Sequence, residues 1–170
     1  MISEKILLSA VLGSPVKHSK SPMLHSYWLK KYSIRGYYIP VEVRAQHLSQ
    51  VLRSMPRMGF VGANITIPHK ETVMSLVDEI SDRAATIGAA NTLIFKANGV
   101  IFADNTDGEG FVENIRQSQP DWCAGRGPAL VLGAGGASRA VVSALLHNSL
   151  SEIWVANRTR DRAQKLIVDF

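Results

Sequence analysis

The sequence predicts an α/β protein built in two successive units, the first around a mainly parallel sheet. Three observations carry this expectation. Strand-like and helix-like stretches alternate from Ile6 to Ile80, the pattern of βαβ units. A glycine-rich turn, VLGAGGASRA from Val131 to Ala140, sits between an apolar strand and a helical pattern. Between the two lies QSQPDWCAGRGP, Gln117 to Pro128, whose proline, glycine and polar content marks a connection.

In order, ILLSAVLG from Ile6 reads as a buried first strand, and PMLHSYWLKKY as a helix with Pro22 in its first turn, where a missing N–H costs nothing. YYIPVEV is a second strand, QHLSQVLRSM a helix and VGANITI a third strand. KETVMSLVDEI, Lys70 to Ile80, is expected to be helical. NTLIFK and VIFADN then form a hairpin about Ala97-Asn98-Gly99, because Asn-Gly readily adopts the positive φ of a tight turn. TDGEGFVENIRQS opens a helix in which Thr106 and Glu109 have capping-box spacing. After the connection come the strand ALVL, a helix through Leu146, the strand EIWVAN and a last helical run from Asp161. The units are expected at 1–106 and 107–170. The second has two strands and ends without a C-cap signal, so an incomplete Rossmann-type unit is expected, with exposed apolar faces and a tendency to self-associate.

The bulk composition is that of a globular domain: of 170 residues, 46% are hydrophobic and 19% charged, which argues against disorder. The net charge of +5 favours anionic ligands. No Lys/Arg block or basic stripe interleaved with aromatics is present, which points away from nucleic acid. Cys123 is the only cysteine, so there is neither an intrachain disulfide nor a cysteine-rich zinc site. Glu4 offsets Lys5 where a signal peptide needs positive charge, and no apolar run approaches the roughly 18 residues that span a bilayer. A cytoplasmic protein with no membrane partner and no metal is expected. All five histidines read as structural or surface residues.

GANITIPHKE, Gly62 to Glu71, carries the first chemical signal. Strand side chains alternate, so Ala63, Ile65 and Ile67 share one face while Asn64 and Thr66 share the other with Pro68. One face is core and the other is wet. Pro68 cannot donate to a ladder and ends the strand, leaving Lys70 just beyond its C-terminal end, where ligands of open α/β sheets bind. The plainer alternative is an edge strand with a surface lysine.

In the glycine turn, Gly133 permits the tight bend, Gly135 lets backbone approach a pyrophosphate, and the following helix offers free N–H groups to negative charge. Ser138 stands where the usual fingerprint has a third small residue. After the next strand come Asn157, Arg158 and Thr159, then Arg160 and Arg162, with no carboxylate at the strand end to repel a 2′-phosphate. This pattern predicts NADP rather than NAD. The alternative is a basic first helical turn facing solvent.

With these pieces placed, the whole chain resembles the shikimate dehydrogenase family. The matching stretches are HSKSP at His18, GANITIPHK at Gly62, GAANT at Gly88, DNTDG at Asp104, GAGGAS at Gly133 and NRT at Asn157, in the family's order. The resemblance implies NADPH-dependent, reversible reduction of 3-dehydroshikimate to shikimate in aromatic amino-acid biosynthesis. It implies Lys70 and Asp107 as the catalytic pair, Ser19 and Ser21 on the substrate carboxylate, and Asn64, Thr66 and Asn91 as further substrate contacts. It also implies cofactor contacts from Asp82, from Gly133, Ala134, Gly135, Gly136 and Ala137, and from Asn157 through Arg162, Asp161 included. The family's chain runs beyond Phe170, and the resemblance leaves a homodimer open. Two other readings compete: a quinate/shikimate dehydrogenase with relaxed NAD/NADP use, and a fragment that binds shikimate without catalysis.

The residues themselves are suited to these roles. Ser19 and Ser21 are two apart, so an extended loop aims both hydroxyls the same way; Ser21 also fits a helix start. Asn91 fits a turn equally well, and Asp107 falls in a first helical turn, where a carboxylate is favourably placed. Hydride delivery to a ketone builds charge on oxygen, which Lys70 can neutralise by a proton or by its own charge.

Overall fold

A computed structural model describes residues 6–170, and the Glu4–Lys5 pair lies outside the described residues. The first unit is a six-stranded sheet in the order β2-β1-β3-β5-β6-β4. Its strands are β1 (Leu7–Gly13), β2 (Gly36–Glu42), β3 (Phe60–Ile65), β4 (Glu79–Ile80), β5 (Thr92–Phe95) and β6 (Ile101–Asp104). β1 pairs in parallel with both β2 and β3, while β5 runs antiparallel to β3 and β6, and β4 joins β6 in parallel. The predicted hairpin is the β5–β6 pair. Its turn places Gly99 at φ 86°, a conformation glycine adopts without a Cβ clash, while Asn98 Oδ1 accepts the Val100 N–H at 3.2 Å.

The core follows the alternation of the strands. Ala10 and Leu12 of β1, Ala63 and Ile65 of β3, and Leu93 and Phe95 of β5 lie buried together. Helix α2 (Leu48–Ser54) adds Leu48 and Leu52, both fully buried and each contributing roughly 1.5–3 kcal/mol of burial. Helix α1 (Ser21–Lys31) buries no residue completely and rests on β2 through Leu29.

Three local expectations give way to tertiary demands. β3 ends at Ile65, so Ile67 leaves the core face and stands 64% exposed. The helix expected over Lys70–Ile80 shrinks to a 3-10 turn, Thr72–Ser75. Asp78 is drawn away by the Ile101 N–H and by Arg53, and Glu79 and Ile80 join the sheet as β4. A short helix, α3 (Asp82–Ile87), follows instead, with the Ser81 hydroxyl accepting the Ala84 N–H at 3.0 Å. Thr106 does not cap the helix α4 (Asp107–Ser118), because its hydroxyl is engaged with Asn91; the Asn105 side chain takes the Asp107 N–H instead.

The second unit pairs β7 (Ala129–Leu132) in parallel with β8 (Ile153–Ala156), with α5 (Gly136–His147) between them in sequence and α6 (Arg160–Asp169) after them. Val131, Val142, Leu145, Leu150 and Leu166 form its core, with Trp122 packed against it. The opposite sheet face, Leu130, Leu132 and Trp154, is exposed.

Helix α5 packs against both α4 and α3. Gly108 of α4 lies so near α5 that a Cβ there would meet the Ala140 carbonyl at 2.7 Å. Arg139 of α5, only 8% exposed, reaches across to donate to the Ile87 carbonyl at 2.5 Å and to Asp169 at 2.7 Å.

Candidate active site

The ends of β1, β3 and β5 and the start of α4 bring the predicted site residues together. Beyond β3, Thr66 N–H donates to the Leu12 carbonyl at 2.9 Å and His69 N–H to the Thr66 carbonyl at 2.9 Å, bending the chain sharply. The fully buried His69 ring then donates from Nε2 to the Val43 carbonyl at 2.6 Å. The Lys70 carbonyl accepts from Ala90 N–H at 2.8 Å, so this lysine springs from a backbone tied on both sides.

Lys70 Nζ forms an ion pair with Asp107 Oδ2, the two side chains being 14% and 27% exposed. The other Asp107 oxygen accepts from Asn91 Nδ2 at 2.8 Å. Asp107 is held in place by fully buried Asn105, which accepts the Asp107 N–H at 3.0 Å and donates to the Ala89 carbonyl at 2.8 Å. Asn64 donates to the Asn91 carbonyl at 3.1 Å and to Thr92 Oγ1 at 3.3 Å, and its Oδ1 accepts from the Tyr38 hydroxyl at 2.8 Å. Thr66 packs its methyl group against Gly13. Ser21 is the first residue of α1, and its N–H donates to Ser19 Oγ at 3.3 Å; its side chain does not cap the helix. The Ser21 hydroxyl lies beside the Tyr38 phenol, which burial pushes up to about 12.

Across from this cluster stands the glycine turn. Gly133 adopts φ 111° and its N–H donates to the Ala156 carbonyl at 2.7 Å, locking the turn to β8. Gly135 is the N-cap of α5, whose first N–H groups have no intrahelical partner, and, having no side chain, it supplies no side-chain cap bond. Ala134 packs toward the second core, and Ala137 lies in the first turn of α5. A Cβ on Gly136 would sit 2.8 Å from Lys70 Cβ, so the turn and the lysine are immediate neighbours. At the end of β8, Asn157 Nδ2 donates to the Thr159 carbonyl at 2.7 Å. Arg158, Arg160, Asp161 and Arg162 are exposed, and none of the three arginines pairs with an acid among the described residues. These groups fit a dinucleotide carrying an additional phosphate.

Asp82 is the first residue of α3. It lines a groove of about 1090 Å³ between α3, α4 and α5, together with Glu109, Arg116 and His147. Beside it, the first aspartate of DNTDG, Asp104, is held down to about 2, chiefly by the Arg83 guanidinium and also by Ser81. Sequence reading missed Tyr38, Thr92 and Asn105 as members of the site. Asn105 was within reach, since it lies inside DNTDG; nothing local marks Tyr38.

Known proteins resemble this chain in sequence and in fold. The model of the shikimate dehydrogenase substrate binding domain matches residues 11–93, and that of shikimate / quinate 5-dehydrogenase matches residues 123–170. The chain belongs to the shikimate dehydrogenase family. The shikimate dehydrogenase (NADP(+)) of Paracoccus denitrificans is 59% identical over 163 residues, spanning 96% of this chain and 58% of that protein. The crystal structure of shikimate 5-dehydrogenase from Thermus thermophilus in complex with NADP(H) and shikimate superposes with TM-score 0.86 at 41% identity, covering 96% of this chain and 60% of that one. Shikimate dehydrogenase from Aquifex aeolicus gives TM-score 0.90 at 35% identity, covering all of this chain and 62% of that one. The chain thus spans about 60% of the length of such family members. Among the described residues, no helix is long and apolar enough to cross a membrane, and no group of three or more His, Cys, Asp or Glu side chains is placed to hold a metal ion.

Proposed function

We propose that the protein is an NADP-dependent shikimate dehydrogenase that interconverts 3-dehydroshikimate and shikimate in aromatic amino-acid biosynthesis. The observation that carries this reading is the Lys70–Asp107 ion pair lying directly against Gly136 of the glycine turn. An acid–base group therefore adjoins the place where a nicotinamide cofactor would be held.

NADPH supplies the hydride when bound. Lys70 donates a proton to the carbonyl oxygen as charge develops there, so the C=O bond becomes CH–OH; in reverse it accepts that proton. Asp107 orients the ammonium through Oδ2 and, through its other oxygen, is held by Asn91. Ser19 and Ser21 bind the ring's carboxylate, and Asn64, Thr66 and Asn91 line its hydroxyl side. Gly133 to Ala137 cradle the pyrophosphate. Arg158, with Asn157, Thr159, Arg160, Asp161 and Arg162 around it, receives the 2′-phosphate. Asp82 is assigned to the cofactor's edge on resemblance.

The substrate-binding unit is assigned to 1–106 and the cofactor unit to 107–170. A homodimer is the proposed assembly, supported by the exposed apolar residues Leu130, Leu132 and Trp154. The cytoplasm is the proposed compartment, supported by the single cysteine.

Titration calorimetry with shikimate, run beside an NADPH absorbance assay with 3-dehydroshikimate, tests this function. Saturable shikimate binding with NADPH-linked turnover is expected. Binding without turnover would assign this length of chain to substrate capture alone, and no binding would overturn the reading.

A further inference from the structure

A chain of hydrogen bonds crosses the ends of the sheet, and every donor in it points the same way. The Tyr38 hydroxyl donates to Asn64 Oδ1 at 2.8 Å, and Asn64 Nδ2 donates to Thr92 Oγ1 at 3.3 Å. The Thr92 hydroxyl donates to Asn91 Oδ1 at 2.9 Å, and Asn91 Nδ2 donates to Asp107 Oδ1 at 2.8 Å. It ends on a carboxylate whose second oxygen faces Lys70. We propose that Tyr38 is a positioning residue for the substrate site, holding Asn64 at the head of this one-directional chain and, through it, tightening Thr92, Asn91 and Asp107. The inference rests on the functional reading above and adds to it a residue that lies outside the family motifs.

The direction follows from chemistry. A carboxylate only accepts, so Asn91 must turn its NH₂ toward Asp107 and its oxygen toward Thr92. Thr92 then has its proton committed to Asn91, leaving it to accept from Asn64. Asn64 in turn has its oxygen left over, and only a donor can meet it; the buried phenol is that donor. Its burial keeps it protonated through the working pH range. Bonds in such a chain polarise one another toward the charge at its end.

Tyr38 is itself well placed to be rigid. It is 6% exposed, sits in the middle of β2 opposite Ser9, and its ring stacks on His25 with centroids 4.0 Å apart and planes 2° from parallel. A phenylalanine would keep that ring and lose only the hydroxyl. The Asn64 oxygen would then lose its donor; Asn64 Nδ2 stays on the Asn91 carbonyl and Asn91 Oδ1 on the Thr106 N–H, so the bonds keep their sense while the chain loses its first member and the polarisation it supplies.

The test compares Tyr38→Phe with the parent by the side-chain amide NMR resonances of Asn64 and Asn91 and by calorimetric shikimate affinity, each alone and combined with Asn91→Ala. In Tyr38→Phe the Asn91 NH₂ resonances are expected to move without ligand, and the shikimate Kd to rise about three- to tenfold. In the Asn91→Ala background the same change should alter Kd by less than about twofold, since the chain is already cut. Unmoved Asn91 resonances, an unchanged Kd, or losses that simply multiply would overturn the proposal. If the parent protein fails to bind shikimate, the functional reading falls instead, and the Asn91 resonances still decide whether the chain exists.

Discussion

Gly136 and Lys70 face each other so closely that a methyl group on the glycine would lie 2.8 Å from the lysine Cβ, and 3.5 Å from that of Ala89. The first residue of α5 is thus glycine for lack of room.

Gly136→Ala must push α5 away from Lys70. Turnover with NADPH is expected to fall at least tenfold, while calorimetric shikimate affinity stays within about threefold of the parent. Equal losses in both would mean that the glycine serves folding alone.

Removing the ammonium in Lys70→Ala should cost on the order of a hundredfold to ten-thousandfold in turnover, the range for a lost general acid. Circular dichroism must confirm the fold. Near-parental turnover in a folded variant would remove Lys70 from the chemistry.

In the proposed function, Arg158 sets the cofactor preference. Arg158→Ala is expected to raise the KM for NADPH by roughly tenfold and leave that for NADH nearly unchanged, as one charge-assisted phosphate contact is lost. A parallel rise for both cofactors would place Arg158 elsewhere.

Asp104 links stability to acid. Its folded-state value of about 2 lies below the ordinary 3.8, so its contribution is fully present above about pH 4 and is lost as pH falls toward 2. Asp78 and Asp169 are also lowered, the first chiefly by the Ile101 N–H and the second by Arg139, and act in the same direction. Melting temperature is expected to drop between about pH 4 and 2, and to drop less steeply in Asp104→Asn. Parallel curves for the two proteins would exclude Asp104 as a source of this effect.

Leu130, Leu132 and Trp154 make one exposed apolar sheet face, with Leu132 the most open at 76%. Light scattering at rising concentration should show self-association, reduced by Leu130→Ser with Leu132→Ser. A concentration-independent monomer would remove this face as its cause.

Much of this molecule was legible one segment at a time. The alternation of Ala63 and Ile65 with Asn64 marked a half-wet strand, and the glycines before Ser138 marked the tight turn between β7 and α5. Both signals arise from backbone geometry that neighbouring residues share. Where distant groups competed for the same backbone, local rules failed. Asp78 preferred Ile101 and Arg53 to a helix, and Thr106 preferred Asn91 to a cap.

By itself, then, the order of residues determined the α/β class, the glycine turn and the set of polar groups available for chemistry. Only the tertiary structure decided that Tyr38 reaches Asn64, 26 positions away, that Asp107 divides its oxygens between Lys70 and Asn91, and that Gly136 adjoins Lys70. The reason is that a hydrogen bond or a steric limit depends on separation in space, and the packing of the sheet ends against α4 and α5 sets that separation.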